Sequence, residues 1–170
     1  MTGAILSIWQ ACRVRRWHTN AELAGTDDRI DGHSGRVARI ILKLHPCPSR
    51  DLLIAALIHD DGEYGIGDIA QPAKVMLRQF EPAAMARLNA CEEDALAEVW
   101  QAPIDYLTTT ETQWLRFADR LDAYVWAAKH GARMDRNGWP EDWQALLAMA
   151  RNLNSQAATD ALQDLISDLA

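Results

Sequence analysis

The sequence predicts an all-α fold, a compact bundle of about seven or eight helices. Apolar residues recur with helical spacing through most of the chain, and segments with the alternating Val, Ile and Thr residues of β-strands are missing. The chain has 170 residues, of which 49% are hydrophobic, so it can enclose a substantial core. We therefore expect one domain that spans residues 1–170.

Two helices are predicted in the first third of the chain. A polar loop, AGTDDRIDGHS, precedes a helix over residues 34–44, which ends at HPCPS. Its apolar stripe contains Val37, Ile40, Ile41 and Leu44. Ser49 or Asp51 is a candidate cap for the next helix. That helix is expected to direct Leu53, Ala56 and Leu57 toward the core.

Two prolines predict the starts of the next helices. Proline suits the first helical positions, because its missing N–H would have no partner there. Pro72 predicts the start of a short helix, and Pro82 predicts the start of a longer helix that continues through Trp100.

The clearest helix lies in TTTETQWLRFADRLDAYVWAAKHG. The spacing of Thr108 and Glu111 resembles a capping box, and Gly131 ends the helix. One face is expected to carry Leu115, Ala118, Asp119, Asp122, Val125 and Trp126. Two more amphipathic helices follow, and the last carries Leu162, Leu165 and Ile166.

Charge and cysteine content exclude several classes of protein. The net charge of −7 disfavours an extended groove for a nucleic-acid polymer and binding to an anionic membrane surface. No apolar run is long enough to span a bilayer, and basic residues follow the first apolar run, which is not the order of a signal peptide. The three cysteines form no CxxC pair, which suits a reducing cytoplasm.

Ionisable residues continue directly out of an apolar segment in ALIHDDGEYGIGDIAQPAK, residues 56–74. His59 and Asp60 end this apolar run, and Asp119 lies on the apolar stripe of a later helix. A buried carboxylate costs several kcal/mol unless it is paired or bound to a cation. One divalent cation would satisfy all three side chains, and His33, just before a predicted helix start, is a natural further ligand.

Each of these residues also has a simpler interpretation. A single His such as His33 is more often a cap or a surface residue, and Asp119 could form a salt bridge with Arg116 or Arg120. Asp122 could support a metal-binding His through a hydrogen bond or act as a salt-bridge acid, and it is left outside the ligand set. In the simplest interpretation, four other aspartates are solvated loop residues: Asp27, Asp28, Asp31 and Asp61.

The order His33, then His59 and Asp60, then Asp119 resembles the H…HD…D signature of the HD-domain metal-dependent phosphohydrolases. HDDGEYGIGDIAQPAK is similar to the pattern HD-x-x-E-x-x-x-x-D-x-x-x-P-x-K of bacterial 5′-deoxynucleotidases, whose close relatives include phage-encoded deoxyadenosine triphosphate triphosphohydrolases. RRW at residues 15–17 resembles an Arg-Trp pair that precedes the first His in these enzymes. The chain departs from the pattern at DDGE, where relatives often carry bulkier residues than Gly.

The resemblance implies a divalent metal, with zinc, cobalt or manganese favoured, and additional magnesium on the phosphates as a further option. The implied ligands are His33, His59, Asp60 and Asp119. Glu63 would orient or deprotonate the attacking water, and Asp68 would touch the sugar or assist that proton transfer. Arg16 and Lys74 would meet phosphate oxygens, and Trp17 would pack against the deoxyribose or the base.

Alternative roles remain open for the residues that would contact the substrate. Trp17 could be one of seven tryptophans in a core or an interface, Lys74 could be a surface residue, and Arg15 could replace Arg16. The expected activity is hydrolysis of a 2′-deoxynucleotide, dAMP or dATP, in a bacterial or phage-infected cytoplasm. The alternatives are hydrolysis of another phosphoester, such as a cyclic dinucleotide or an alarmone, and a non-catalytic assembly module with a structural metal.

Tryptophan content also predicts self-association. Seven tryptophans in 170 residues, several on the C-terminal helices, are more than a small core hides easily. We therefore expect a homo-oligomer, and the resembled enzymes form dimers or hexamers. The other expected partner is a small deoxynucleotide, with neither a nucleic-acid polymer nor a membrane.

Overall fold

The structure, a computed structural model, describes residues 3–100 and 107–169, and within these ranges it is helical and contains no strand. The eight α-helices are α1 (Gly3–Cys12), α2 (Ile30–Leu44), α3 (Arg50–Ile58), α4 (Gln71–Phe80), α5 (Pro82–Trp100), α6 (Thr109–Lys129), α7 (Trp139–Asn152) and α8 (Gln156–Leu169). A short 3-10 helix, Asp61–Gly65, separates α3 from α4. The predicted all-α class is confirmed.

One compact unit is formed by the described residues of Met1–Gly32 and Ile58–Pro103. In this unit α5 packs against α1, α4 and the 3-10 helix. An isolated antiparallel bridge joins Arg15 to Arg29, and the backbone N–H of Arg16 donates to the carbonyl of Asp28 at 3.0 Å. The bridge therefore fixes the RRW segment beside the loop that carries Asp28.

The second compact unit is formed by His33–Leu57 and by the part of Ile104–Ala170 that the structure describes. Here α7 packs against both α6 and α8. Fully buried core residues include Val37, Ile41, Phe117, Leu146 and Leu162. The prediction of one domain over residues 1–170 extends beyond the described ranges and stays a prediction.

The predicted helix signals are present. The hydroxyl of Thr108 accepts the backbone N–H of Glu111, and the carboxylate of Glu111 accepts the backbone N–H of Thr108, which completes the capping box. Gly131 follows α6 with φ of +85°, a conformation that glycine adopts without strain. The hydroxyl of Ser49 caps α3 by accepting the backbone N–H of Leu52 at 3.0 Å. Pro72 and Pro82 lie in the first turns of α4 and α5, as predicted.

Two details of the helix predictions are wrong. α2 begins at Ile30 and not at residue 34, because Ile30 is fully buried and already belongs to the apolar face. His33 therefore lies inside α2 and not before it. In α3 the fully buried Leu52 faces the core, whereas Leu57 is 50% exposed. The continuous apolar run of α3 contains no periodicity that could reveal its buried face.

The C-terminal tryptophans are less exposed than the oligomer hypothesis assumed. Trp139 is 7% exposed, whereas Trp9 in α1 is 65% exposed. Self-association stays a prediction, and the buried Trp139 does not support it. Among the described residues, no helix combines the length and the apolar character needed to cross a bilayer.

Candidate metal and catalytic site

His33 is the most enclosed of the predicted ligands. It lies one turn into α2, on the same face as Val37, and is fully buried. Its Nε2 is 3.1 Å from Oδ1 of Asp119, and its Nδ1 is 2.7 Å from Oδ2 of Asp122. The two aspartates, three residues apart on α6, thus contact opposite nitrogens of one imidazole.

Asp122, and not Asp119, is the buried carboxylate of α6. The side chain of Asp119 is 42% exposed and that of Asp122 is 5% exposed, so burial alone gives Asp119 no need for a cation. Arg36 donates to Asp122 through Nε at 2.6 Å and through Nη2 at 3.0 Å. Although burial opposes ionisation, hydrogen bonds from His33 and Arg36 hold the pKa of Asp122 below its ordinary value.

His59 and Asp60 form the turn that follows α3. Nε2 of His59 is 3.5 Å from Oδ1 of Asp60. The α-helix does not continue beyond this pair, because the chain tightens at once into the 3-10 helix Asp61–Gly65. Glu63 lies in that helix and is 6% exposed. The position of Glu63 therefore depends on the 3-10 helix and not on an extension of α3.

Glu63 belongs to an ion-pair cluster with Lys74 and Glu92. Nζ of Lys74 is 3.2 Å from Oε1 of Glu63 and 3.2 Å from Oε1 of Glu92. Burial, followed by the charges of Asp60 and Asp68, raises the pKa of Glu63 to about 8, although Lys74 opposes this shift. Lys74, with its side chain 16% exposed, is not the surface residue of the simpler interpretation.

The Arg-Trp element is held by two acids. Oδ2 of Asp28 accepts Nη1–H of Arg16 at 3.1 Å and Nε1–H of Trp17 at 3.0 Å. Oδ2 of Asp68 accepts the backbone N–H of Trp17 at 3.3 Å. Trp17 has φ of +65°, which is rare for a bulky residue and persists only where surrounding contacts hold it. Arg15 instead donates to the carbonyls of nearby loop residues.

Two acids that were predicted to be solvated are buried. Asp28 is 1% exposed, and Asp61 is 5% exposed and accepts Nε1–H of Trp100 at 2.7 Å. Burial raises the pKa of Asp61, although the bond from Trp100 opposes the shift. No local pattern marked Asp28, because its partners lie about a dozen residues away in sequence. Glu92 was missed for the same reason.

The described residues include a group that could hold a metal ion. It consists of His33, His59, Asp60 and Asp119. Each offers one ligand atom, and these atoms all lie within 4.8 Å of one another. Ligands bound about 2.0–2.2 Å from one ion lie at most about 4.4 Å apart. Two imidazole nitrogens and two carboxylate oxygens suit a first-row divalent cation.

No family model, no curated protein and no solved structure matches the chain. A buried carboxylate with a pKa near neutrality, Glu63, lies close enough to the candidate ligand Asp60 to respond to its charge. Such a carboxylate can exchange a proton at physiological pH.

The raised pKa of Glu63 predicts a pH-dependent stability. The folded state keeps a proton that an ordinary glutamate, with a pKa of 4.5, would release, so wild-type stability falls as the pH rises from about 4.5 to 8. Glutamine does not titrate. We therefore compare the Tm of Glu63→Gln with that of wild type, both metal-free, by thermal melts in chelator. The Tm of the variant minus that of wild type should be at least about 2 °C larger at pH 8 than at pH 5. A pH-independent difference in Tm would contradict the assignment.

Proposed function

We propose that the chain is a metal-dependent phosphohydrolase of 2′-deoxynucleotides, of the HD-domain type that its motifs resemble. The observation that carries this proposal is the position of Glu63. A buried carboxylate with a pKa raised to about 8 lies near Asp60, and Asp60 belongs to a group that could hold a metal ion. A purely structural metal site would need no adjacent base.

The proposed metal site uses His33, His59, Asp60 and Asp119, and the ion is zinc, cobalt or manganese. A divalent ion would supply Lewis-acid activation of water and of a phosphoryl oxygen, so the protein would need no covalent nucleophile. Asp60 and Asp119 would also reduce the positive charge of the ion.

Glu63 is the proposed general base. Its Oε1 accepts a hydrogen bond from Lys74 at 3.2 Å, which holds the carboxylate in one orientation. A carboxylate held beside a metal-bound water can take a proton from that water. Lys74 has three N–H donors, of which two face Glu63 and Glu92, and we assign the third to a phosphate oxygen.

Arg16 and Trp17 are the proposed contacts to the rest of the nucleotide. The guanidinium of Arg16 lies 5.2 Å from the ring centroid of Trp17, and Asp28 bonds to both side chains. Arginine can hold two phosphate oxygens at once. Asp28 and Asp68 restrain Trp17. We therefore propose that its indole packs against the sugar in a fixed position and leaves little room for a 2′-hydroxyl.

The experiment that tests this function supplies the metal-loaded protein with dAMP, dATP, AMP and ATP. We expect hydrolysis of a deoxynucleotide in preference to its ribonucleotide, with loss of activity in chelator and recovery on addition of zinc, cobalt or manganese. Identification of the released phosphate or triphosphate separates a 5′-deoxynucleotidase from a triphosphohydrolase. Absence of turnover on all four nucleotides would contradict the proposal, and hydrolysis of a cyclic dinucleotide or an alarmone alone would favour another phosphoester.

A further inference from the structure

A chain of contacts supports His33 from the side opposite Asp119. The imidazole donates Nδ1–H to Asp122, since an ionised carboxylate can only accept. Arg36 donates hydrogen bonds to both carboxylate oxygens of Asp122. The guanidinium of Arg36 lies 4.5 Å from the ring centroid of Trp126, a distance typical of a cation–π contact. These four residues come from only two helices, α2 and α6.

This arrangement determines which nitrogen of His33 is available to a ligand. Nδ1 is committed to Asp122 at 2.7 Å, so Nε2 is the nitrogen directed at Asp119, 3.1 Å away. The tautomer and the side-chain rotamer of His33 are therefore already fixed before an ion binds. Partners of this kind commonly strengthen the affinity of a histidine for a metal.

We propose that Asp122 is a positioning residue for the metal site: with Arg36 it fixes the ring and the tautomer of His33 so that Nε2 faces the ion. This inference rests on the proposed function only in requiring that His33 bind a metal. Asp122 is not one of the four proposed metal ligands.

Asp122→Asn tests the role with almost no change in volume. An amide has one oxygen, so it can accept at only one of the two atoms that now receive N–H groups. In one orientation the NH₂ group of the amide faces Nε–H of Arg36, and in the other it faces Nδ1–H of His33. The matched control is Asp142→Asn, since Asp142 also faces an arginine, Arg120 at 3.6 Å, but contacts no candidate ligand.

The measurement is zinc affinity, by competition with a chromogenic chelator and without substrate. We expect Asp122→Asn to bind zinc about 10–100-fold more weakly than wild type, and Asp142→Asn to bind within about twofold. Equal affinity of folded Asp122→Asn and wild type would overturn the positioning role while leaving the proposed function intact. A wild-type protein that binds no zinc would overturn the proposed metal site itself.

A second measurement covers the case in which Asp122→Asn does not fold. In metal-free wild type, ¹⁵N-edited NMR should show an Nδ1–H proton of His33 that is protected from solvent exchange, because this group is buried and bonded to Asp122. Rapid exchange of that proton in the wild-type protein would overturn the inference. Persistence of that proton in the wild-type protein would support the inference where the variant does not fold, and weaker zinc binding by the variant would support it where the variant folds.

Discussion

Replacement of Glu63 by glutamine is expected to lower deoxynucleotide turnover by about 10²–10⁴-fold while the protein retains its metal. Glutamine keeps the size of the side chain and can still accept a hydrogen bond from Lys74, but it cannot take a proton from the attacking water. Steady-state kinetics on metal-loaded protein and elemental analysis of the same sample measure the two quantities. Asp60→Ala, which removes a proposed ligand, should lose both metal and turnover.

Glu92→Gln is the matched control for this experiment. Glu63 and Glu92 each lie 3.2 Å from Nζ of Lys74, so both substitutions replace a carboxyl partner of the same lysine with an amide. Only Glu63 is proposed as a base, and Glu92→Gln should therefore keep turnover within about threefold of wild type. Equal losses in the two variants would show that the acids act through Lys74, and normal turnover by Glu63→Gln would refute the mechanism.

The helical architecture was predictable because its signals are local in sequence. The capping box of Thr108 and Glu111 and the proline at the start of α5 act within one turn. The start of α2 was misplaced for a related reason. Polar residues between Ile30 and Val37 hide the first turns of its apolar face, although His33 among them is fully buried.

All four predicted ligands belong to the group that could hold a metal ion, but the expected burial of Asp119 is wrong, because the buried carboxylate of α6 is Asp122. On α6 both Asp119 and Asp122 share the face that meets His33, and helical periodicity cannot tell which carboxylate is covered. The exposed Asp119 contacts Nε2 of His33, and the buried Asp122 contacts Nδ1. The role of Arg36 was not predictable, because its pairing with Asp122 joins residues 86 positions apart.

The packing role of Gly62 could not be predicted from the sequence. Gly62 stands where the resembled enzymes often carry bulkier residues, and the structure shows a close approach of two backbones at this position. A Cβ atom at Gly62 would lie 2.2 Å from the carbonyl oxygen of Glu92 on α5. Contacts this short do not occur, and the obstacle is backbone, which cannot rotate away. Gly62 therefore allows the 3-10 helix with Glu63 to sit directly on α5.

Gly62→Ala is accordingly expected to be strongly destabilising. The added methyl group must push the 3-10 helix away from α5, and overpacking of this kind costs about 1–3 kcal/mol. For a chain of this length the loss corresponds to a fall in Tm of about 3–10 °C, measurable by calorimetry. The same displacement would separate Glu63 from Lys74, so deoxynucleotide turnover should fall even at temperatures at which the variant is fully folded.

Gly25→Ala is the control, because a Cβ atom at Gly25 would meet nothing within 4 Å. That substitution should leave the Tm unchanged or raise it slightly, since alanine restricts the unfolded chain more than glycine does. A fall in Tm confined to Gly62→Ala would attribute the effect to the backbone contact with Glu92 rather than to loss of glycine in general. Equal Tm values for the two variants would mean that the 3-10 helix can move off α5 freely, and Glu63 would then have no fixed position from which to act as a base.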